Sequence, residues 1–415
     1  MEGIIIKNVA CKGNRLDIDF SVSAGLEKYF LPEHHFFAEY TCDISDVPES
    51  VLVVPLLSNL MQFSWLVDCV VWVNEVDRAF YDAIPKIKYA FQEMYPDYPF
   101  RGTLIPAKVI DNTYVPEKKA ITLFTGGIDA TTTFLRILDQ KPILLNTNGW
   151  FANEIVEDPV YTADLNAITA IADANDVQSC FVRSNFARFL RAEEINKRIR
   201  KPLRNSWWRG FQHSLAFLGC AAVAGYHHRV ETLYIGSSHT FGEYATIVSD
   251  PRIDNCFRTA SMHTVHDGYE LSRQDKVRYI LEKQKETNAK VQLRVCSFNT
   301  HNCCNCEKCF RTMLAIMAEG GRVETLGFEL PDTFMNCLKS FLKTQITELD
   351  PVHLLFWIDI LKRMEENYDT LQDKEVYHFL KDFDFAKARK EFLWNYYTKN
   401  FWKILKRKLG IGRGK

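Results

Sequence analysis

The sequence has almost no net charge. Its 51 Lys and Arg stand against 52 Asp and Glu, a formal −1 with histidine neutral. A chain that coats nucleic acid by bulk attraction carries an excess of positive charge, so nucleic acid is not an expected partner, although a local basic patch stays open. A signal-peptide pattern is also missing. The apolar run in MEGIIIKNVACKG is shorter than the h-region of about 7–15 residues that such a signal needs. Long apolar runs are scarce, and only Val51–Val73 calls for a membrane check. It carries Pro55, Asn59, Gln62 and Asp68, whereas a span needs about 20 predominantly apolar residues. It reads as a buried core segment, and the protein is expected in the cytoplasm, where thiols stay reduced. Internal repeats and low-complexity segments are absent, which excludes a solenoid or a fibre. Neither the P-loop pattern GxxxxGKS/T nor the dinucleotide fingerprint GxGxxG occurs at a strand end.

What is present is ordinary globular composition, with 47% hydrophobic and 25% charged residues over 415 positions. Disorder is thereby excluded as the main state, and two or three domains are expected. Residues 1–116 open with alternating runs such as IIIKNVA and RLDIDFSV, then a helical stretch on both sides of Pro85. They read as an α+β N-terminal domain without a chemical signature. Pro106, Asp111-Asn112 and Pro116 read as a linker. Over 117–320, short apolar runs alternate with helical stretches. The runs are Ala120–Phe124, Pro142–Asn146, Ser179–Val182, Thr232–Gly236 and Val291–Val295. This alternation predicts an α/β fold, a parallel sheet with helices on both faces, whose ligands bind at the carboxyl ends of the strands. Residues 321–415 read as helical and end in a basic tail from Lys399, in which Trp402, Leu405 and Leu409 recur at helical spacing. Such a tail permits peripheral membrane contact, and a frayed, solvated terminus is the competing reading.

The first strand of the α/β segment runs into Thr125-Gly126-Gly127-Ile128-Asp129-Ala130-Thr131-Thr132. Glycines let backbone amides approach an anion, and a helix N-terminus adds free amides and a positive dipole end. Thr125, Thr131 and Thr132 add hydroxyl donors, and Asp129 sits where it can cap the helix or hold the loop. The pattern suits pyrophosphate. A ligand-free strand-to-helix turn fits the same short motif.

Of the 12 cysteines, five fall between Cys296 and Cys309. Cys303, Cys306 and Cys309 form C-x2-C-x2-C, with Cys296 seven residues upstream, and four thiolates in one short loop close a tetrahedral zinc site. An iron–sulfur cluster is the chemical alternative. Cys304 is a spare and His301 a substitute ligand. Four protein ligands leave no open position, so the metal is expected to be structural.

The loop resembles the PP-loop motif, usually SGGxDS, of the N-type ATP pyrophosphatases. Enzymes of that superfamily cut ATP between the α and β phosphates, form an adenylated substrate and release pyrophosphate. Thr125 stands for the first serine and keeps its hydroxyl, whereas Ala130 stands for the last and loses it; Thr131 is placed to replace it. A late Cys, then CxxCxxC and an Arg-containing helix, resembles the 7-cyano-7-deazaguanine synthase branch, which holds a structural zinc. Pro202, Trp207-Trp208-Arg209-Gly210, Asp250-Pro251-Arg252 and Leu271-Ser272-Arg273 resemble further pieces of that branch in the same order. The match covers roughly Ile121 to Ala318. A plain synthase lacks the flanking segments. The layout is also similar to the ATP-dependent epimerase of UDP-N-acetylmuramoyl-dipeptide and to synthase-like proteins of phage-defence operons.

The resemblance implies an ATP-dependent enzyme that adenylates a carboxylate on a small-molecule substrate, with ATP, Mg2+ and a structural Zn2+. Thr125, Gly126, Gly127, Ile128, Asp129, Thr131 and Thr132 would hold the pyrophosphate, with Asn146 bordering the adenine and ribose. Asp129, Arg209, Asp250 and Arg273 would serve the reaction. Arg209 is the first choice for stabilising the leaving group, ahead of Arg252 and Arg273. His213, His239, His263 and His266 are each a general base or a structural histidine. Trp207 and Trp208 stack on a ligand or pack between segments. A non-catalytic nucleotide-binding scaffold and a tRNA-modifying enzyme remain alternatives, and a homodimer is compatible with the sequence.

Overall fold

The computed structural model describes residues 2–151, 158–242, 246–296, 299–349 and 351–408. Its strands are β1 (Gly3–Lys12), β2 (Arg15–Val22), β3 (His35–Tyr40), β4 (Val70–Asp77), β5 (Thr103–Ile110), β6 (Lys118–Leu123), β7 (Ile143–Asn148), β8 (Ser179–Ser184), β9 (Val230–Gly236), β10 (Arg258–Thr259) and β11 (Met262–Asp267). The helices are α1 (Glu49–Leu52), α2 (Val54–Val67), α3 (Arg78–Met94), α4 (Ile128–Arg136), α5 (Pro159–Ala174), α6 (Ala192–Leu203), α7 (His213–His227), α8 (Pro251–Asp254) and α9 (Arg273–Thr287), then α10 (Glu307–Ala318), α11 (Phe334–Thr344), α12 (Pro351–Glu366), α13 (Lys374–Asp382) and α14 (Phe385–Lys408).

The chain divides into two compact units. The first holds the residues up to Lys276 together with Glu282–Val291; the second holds Val277–Leu281 and Gln292 onward. The expected breaks at residues 116 and 320 coincide with no edge of either unit.

In the first unit the strands join in one sheet of order β10-β11-β9-β6-β7-β8-β3-β2-β1-β4-β5. Strands β11, β9, β6, β7 and β8 run parallel, so the fold is α/β with a mostly parallel sheet flanked by helices. The N-terminal residues extend this sheet: β3 pairs antiparallel with β8, with Tyr40 opposite Val182. The segment read as a linker belongs to the fold as well. Pro106 lies in β5, the edge strand, where a missing N–H costs no ladder bond. Asn112 is buried and donates to Asp77 Oδ1 at 2.9 Å and to Ser50 Oγ at 3.0 Å.

Val51–Val73 becomes α1, α2 and the start of β4, with nearly every side chain of α2 buried. Several of its polar groups are met inside the protein, whereas Ser58 Oγ and Gln62 Oε1 are buried without a partner. Asn59 donates to Pro55 O, Ser64 to Met61 O, and Gln212 donates to Asn59 Oδ1 at 2.9 Å. Helix α7, rich in Ala and Gly, packs closely on α2: a Cβ at Gly219 would meet Ser58 Cβ at 2.7 Å. No helix of the described residues is long and apolar enough to cross a membrane.

One expectation for the sheet changes. The fifth parallel strand is Met262–Asp267, whereas Val291–Val295 forms no strand. Its side chains do alternate between buried and less buried, but its backbone bonds go elsewhere. Asn302 accepts from Val295 N at 3.0 Å and donates to Leu293 O at 2.8 Å, so a side-chain amide stands where a neighbouring strand would.

The second unit is helical, α10 to α14. Phe341 stacks on Trp357 in its core, with centroids 6.2 Å apart, and Phe310 packs tilted against Phe341 at 5.2 Å. Buried Glu307 binds Arg311 at 3.0 Å and accepts from Trp357 Nε1 at 3.1 Å. Helix α14 reaches Lys408. Leu409 and the residues after it, with the side chains of Lys399, Trp402 and Leu405, lie outside the described residues.

Candidate functional site

The chain's path sets where a ligand would sit. From β6 it passes through α4 to β7 and through α5 to β8, moving one way across the sheet. It then returns through α6 and α7 to β9, on the opposite side of β6. The strand order therefore reverses between β6 and β9, and in open α/β sheets ligands bind at such a switch point. The glycine loop is the segment that leaves β6 there.

Gly126 has φ +74°, a conformation that side chains resist, which explains the glycine. Gly127 is the N-cap of α4. A Cβ added to it would meet only Thr125 Oγ1, at 3.5 Å, so the loop is open on that side. Ile128 buries its side chain and can offer a ligand only its backbone amide. Thr131 is fully buried, and its hydroxyl has no hydrogen-bond partner. An unmet polar atom in the first turn, beside an open glycine, suits an oxyanion such as phosphate. Thr132 differs: its hydroxyl already donates to Ile128 O at 2.9 Å, inside its own helix. Thr125 is exposed at the loop's start. Asn146 donates to Phe124 O at 3.0 Å and so ties the end of β7 to the loop.

Asp129 is held by two cations. Arg273 Nη1 lies 3.2 Å from Oδ2, and Lys276 Nζ lies 3.2 Å from Oδ1. Lys276, whose side chain is only 2% exposed, also donates to Ser237 O just beyond β9. The sequence reading found Arg273 but missed Lys276. A signal was there: both cations occupy the first turn of α9, behind a Ser272/Asp275 capping box. The dipole disfavours cations at a helix N-terminus, so a pair of them there is held for another reason.

The other candidates fall elsewhere. Asp250 caps α8 through Arg252 N at 2.9 Å and grips the Arg252 side chain at 2.9 and 3.0 Å, so capping and a local ion pair occupy its carboxylate. Arg209 lies on a π-helical turn, Trp208–Gln212, ahead of α7. Its side chain is exposed and has no ion pair among the described residues, and its carbonyl accepts from Val248 N at 3.1 Å. Trp207 is wholly buried, stacked at 8° on Phe211. Trp208 lies parallel to Phe186 and packs against Trp150. His213 Nδ1 sits 3.0 Å from Trp208 O, and burial pushes this histidine below its ordinary range. His266 Nδ1 pairs with buried Asp254 at 2.8 Å, and His263 Nε2 lies 3.3 Å from Thr232 Oγ1. The backbone N–H of His239 donates to Ser237 Oγ at 3.3 Å.

In the second unit, Cys296, Cys303, Cys306 and Cys309 bring their sulfurs within 4.8 Å of one another. Cys303 and Cys309 are already 3.8 Å apart, the spacing of two thiolates on one ion with Zn–S bonds of about 2.3 Å. The four can hold a metal such as zinc. Cys306 is the N-cap of α10. Its hydrogen bond with Cys309 chiefly brings its thiol down to about 5, and the free amides of the helix start favour the thiolate. Cys303 is pushed up to about 11, first by burial, and Cys309 is raised, first by its bond with Cys306. The spare residues resolve simply. Cys304, in a left-handed turn with φ +53°, points its thiol at Asn302 O, and His301 is exposed outside the cluster. Comparison of the chain with protein-family models, with curated proteins and with solved structures finds no match.

Proposed function

We propose that this chain is an ATP-dependent adenylating enzyme that activates a carboxylate on a small-molecule substrate. The observation that carries this reading is the loop at the sheet's switch point. There a positive-φ glycine, an open N-cap and an unmet Thr131 hydroxyl adjoin an aspartate clasped by two cations. In the reaction a substrate carboxylate oxygen attacks the α-phosphorus, and the bond to the bridging oxygen of the β-phosphate breaks. The amides around Gly127 and the Thr131 hydroxyl bind the phosphate oxygens. Charge builds on the departing pyrophosphate, and fixed cations stabilise it more in the transition state than in the ground state. Lys276 and Arg273 take that duty, and Asp129 keeps them oriented toward the loop. This assignment moves the leaving-group role from Arg209 to the α9 pair. Magnesium, when bound, would add charge neutralisation on the phosphates. The four-cysteine centre serves as a structural zinc site, because four sulfur ligands fill a tetrahedral ion.

Product analysis by phosphorus NMR across a carboxylate panel tests the reading. AMP and pyrophosphate are expected with the right substrate; ADP and phosphate would contradict it. A nucleotide-binding scaffold is the second reading, favoured by Ala130, which removes one hydroxyl from the loop. It expects tight ATP binding with no turnover on any substrate, and Asp129→Ala without effect on the cellular phenotype.

A further inference from the structure

The first unit contains another group of metal-ligating side chains, apart from the glycine loop and built from different elements. His227 is the last residue of α7 and His228 caps it. Cys42 lies just beyond β3. The thiol of Cys42 and one ring nitrogen of each histidine lie within 4.8 Å of one another. Ligands on a tetrahedral zinc, with bonds of about 2.0–2.3 Å, stand roughly 3.3–3.8 Å apart. A contraction of about 1 Å would close the set around an ion.

Three further observations point to a ligand here. The β3–β8 register brings a second thiol to the place. Thr41 N donates to Phe181 O at 3.1 Å and Phe181 N to Thr41 Oγ1 at 3.0 Å, so Cys42 stands beside Cys180, sulfur to sulfur 4.0 Å. Next, His227 Nδ1 lies 2.8 Å from Asp46 Oδ1. A carboxylate on one ring nitrogen sets the tautomer and leaves the other nitrogen to bind, the arrangement common behind metal-bound histidines. Finally, the imidazoles meet edge to face with centroids 4.7 Å apart at the C-terminal end of α7, where the helix dipole favours a cation.

We propose that Cys42, His227 and His228 form a second metal site for a zinc-class divalent ion, with Cys180, whose sulfur stands 4.0 Å from that of Cys42 but outside the mutually close trio, turning in as the fourth ligand. Two thiolates and two neutral imidazoles balance the charge of a divalent ion, and binding releases the two thiol protons. Four protein ligands make the ion structural, a clasp joining the loop after β3, strand β8 and the end of α7.

Elemental analysis of the full chain, expressed with zinc and purified under reducing conditions without chelator, tests the site. Two zinc ions per chain are expected. Cys42→Ser and His228→Gln should each lose one, and Cys306→Ser should lose the other. The double variant Cys42→Ser/Cys306→Ser should hold none. Circular dichroism checks that each variant is folded. Because Asp46 is exposed, Asp46→Asn gives a variant whose fold is not at stake, and it should weaken cobalt(II) binding in the Cys306→Ser background about 10–100-fold. That background should also show thiolate-to-cobalt charge-transfer absorption that Cys42→Ser abolishes. Zinc content unchanged by both Cys42→Ser and His228→Gln would overturn the proposal. So would a Cys42–Cys180 disulfide in the purified protein with no second equivalent of metal. A single zinc lost on Cys42→Ser alone would support this site and refute the centre built on Cys306, so the two assignments fail separately.

Discussion

Around Asp129, two cations share one carboxylate at the mouth of a glycine loop. One of them, Lys276, is almost wholly buried, and a buried lysine is retained at a cost in desolvation. In the proposed reaction, stabilising the departing pyrophosphate accounts for that cost. Lys276→Met keeps the aliphatic stem and removes the charge, so pyrophosphate release should fall about a hundredfold or more. Stopped-assay kcat per folded molecule checks this; a lowered melting temperature with unchanged kcat would assign Lys276 to structure alone. His213 offers a pH prediction. Burial depresses its folded pKa, while the unfolded chain titrates near about 6.5. The neutral form's stability is complete above that value and falls as pH drops from about 6.5 toward the folded pKa, because the unfolded state binds the proton first. The slope is at most about 1.4 kcal/mol per pH unit. Melting curves on either side of that ordinary histidine value, at about pH 7.5 and 5.5, should therefore show a larger loss in the wild type than in His213→Gln. At this scale the sequence revealed the loop, since Gly126, Gly127 and Asp129 are adjacent. Lys276 was hidden because it comes from a helix far along the chain, 147 positions after Asp129, and is brought to it by the strand order alone.

Helices and turns show where local signals suffice. The cluster of Cys296, Cys303, Cys306 and Cys309 was legible because all four ligands lie close together in sequence, from the segment before α10 into its first turn, and thiol spacing alone sets tetrahedral closure. Removing one ligand should be felt by the whole helical unit: Cys306→Ser is expected to lose one zinc ion and lower the melting temperature of the α10–α14 region. Elemental analysis with hydrogen exchange over that region checks it. The segment Val291–Val295 shows the opposite case. Its alternating pattern was real, but alternation does not supply a partner strand, and Asn302 took the backbone bonds. Asn112 was likewise read as linker because Pro and Asn mark turns. The stretch is irregular, yet the Asn112 amide donates to Asp77, a buried residue that also caps α3 at Phe80 N and accepts from Ala260 N, each at 2.9 Å. Three bonds to one buried carboxylate make Asp77→Ala costly, about 3–5 kcal/mol. Denaturant midpoints should show that loss, with Asp77→Asn in between.

Across the whole molecule, the flanking N-terminal segment was read as separate because its pattern changes near residue 116, after the linker signals at Pro106, Asp111-Asn112 and Pro116. That change is real, but β3 continues the sheet beside β8, and the pairing depends on a register that no local window contains. The parallel class itself was legible, because strands and helices alternate along the chain and such runs have few other solutions. On the proposed function, this sheet presents ATP at the point where its strand order reverses, so that a carboxylate displaces pyrophosphate. Reversal of that step gives the most direct measurement: carboxylate-dependent exchange of labelled pyrophosphate into ATP by the purified full chain. Label in ATP with the right carboxylate, and its loss in Lys276→Met, is the expected result. Turnover of ATP to ADP and phosphate, with no label returning to ATP, would contradict it.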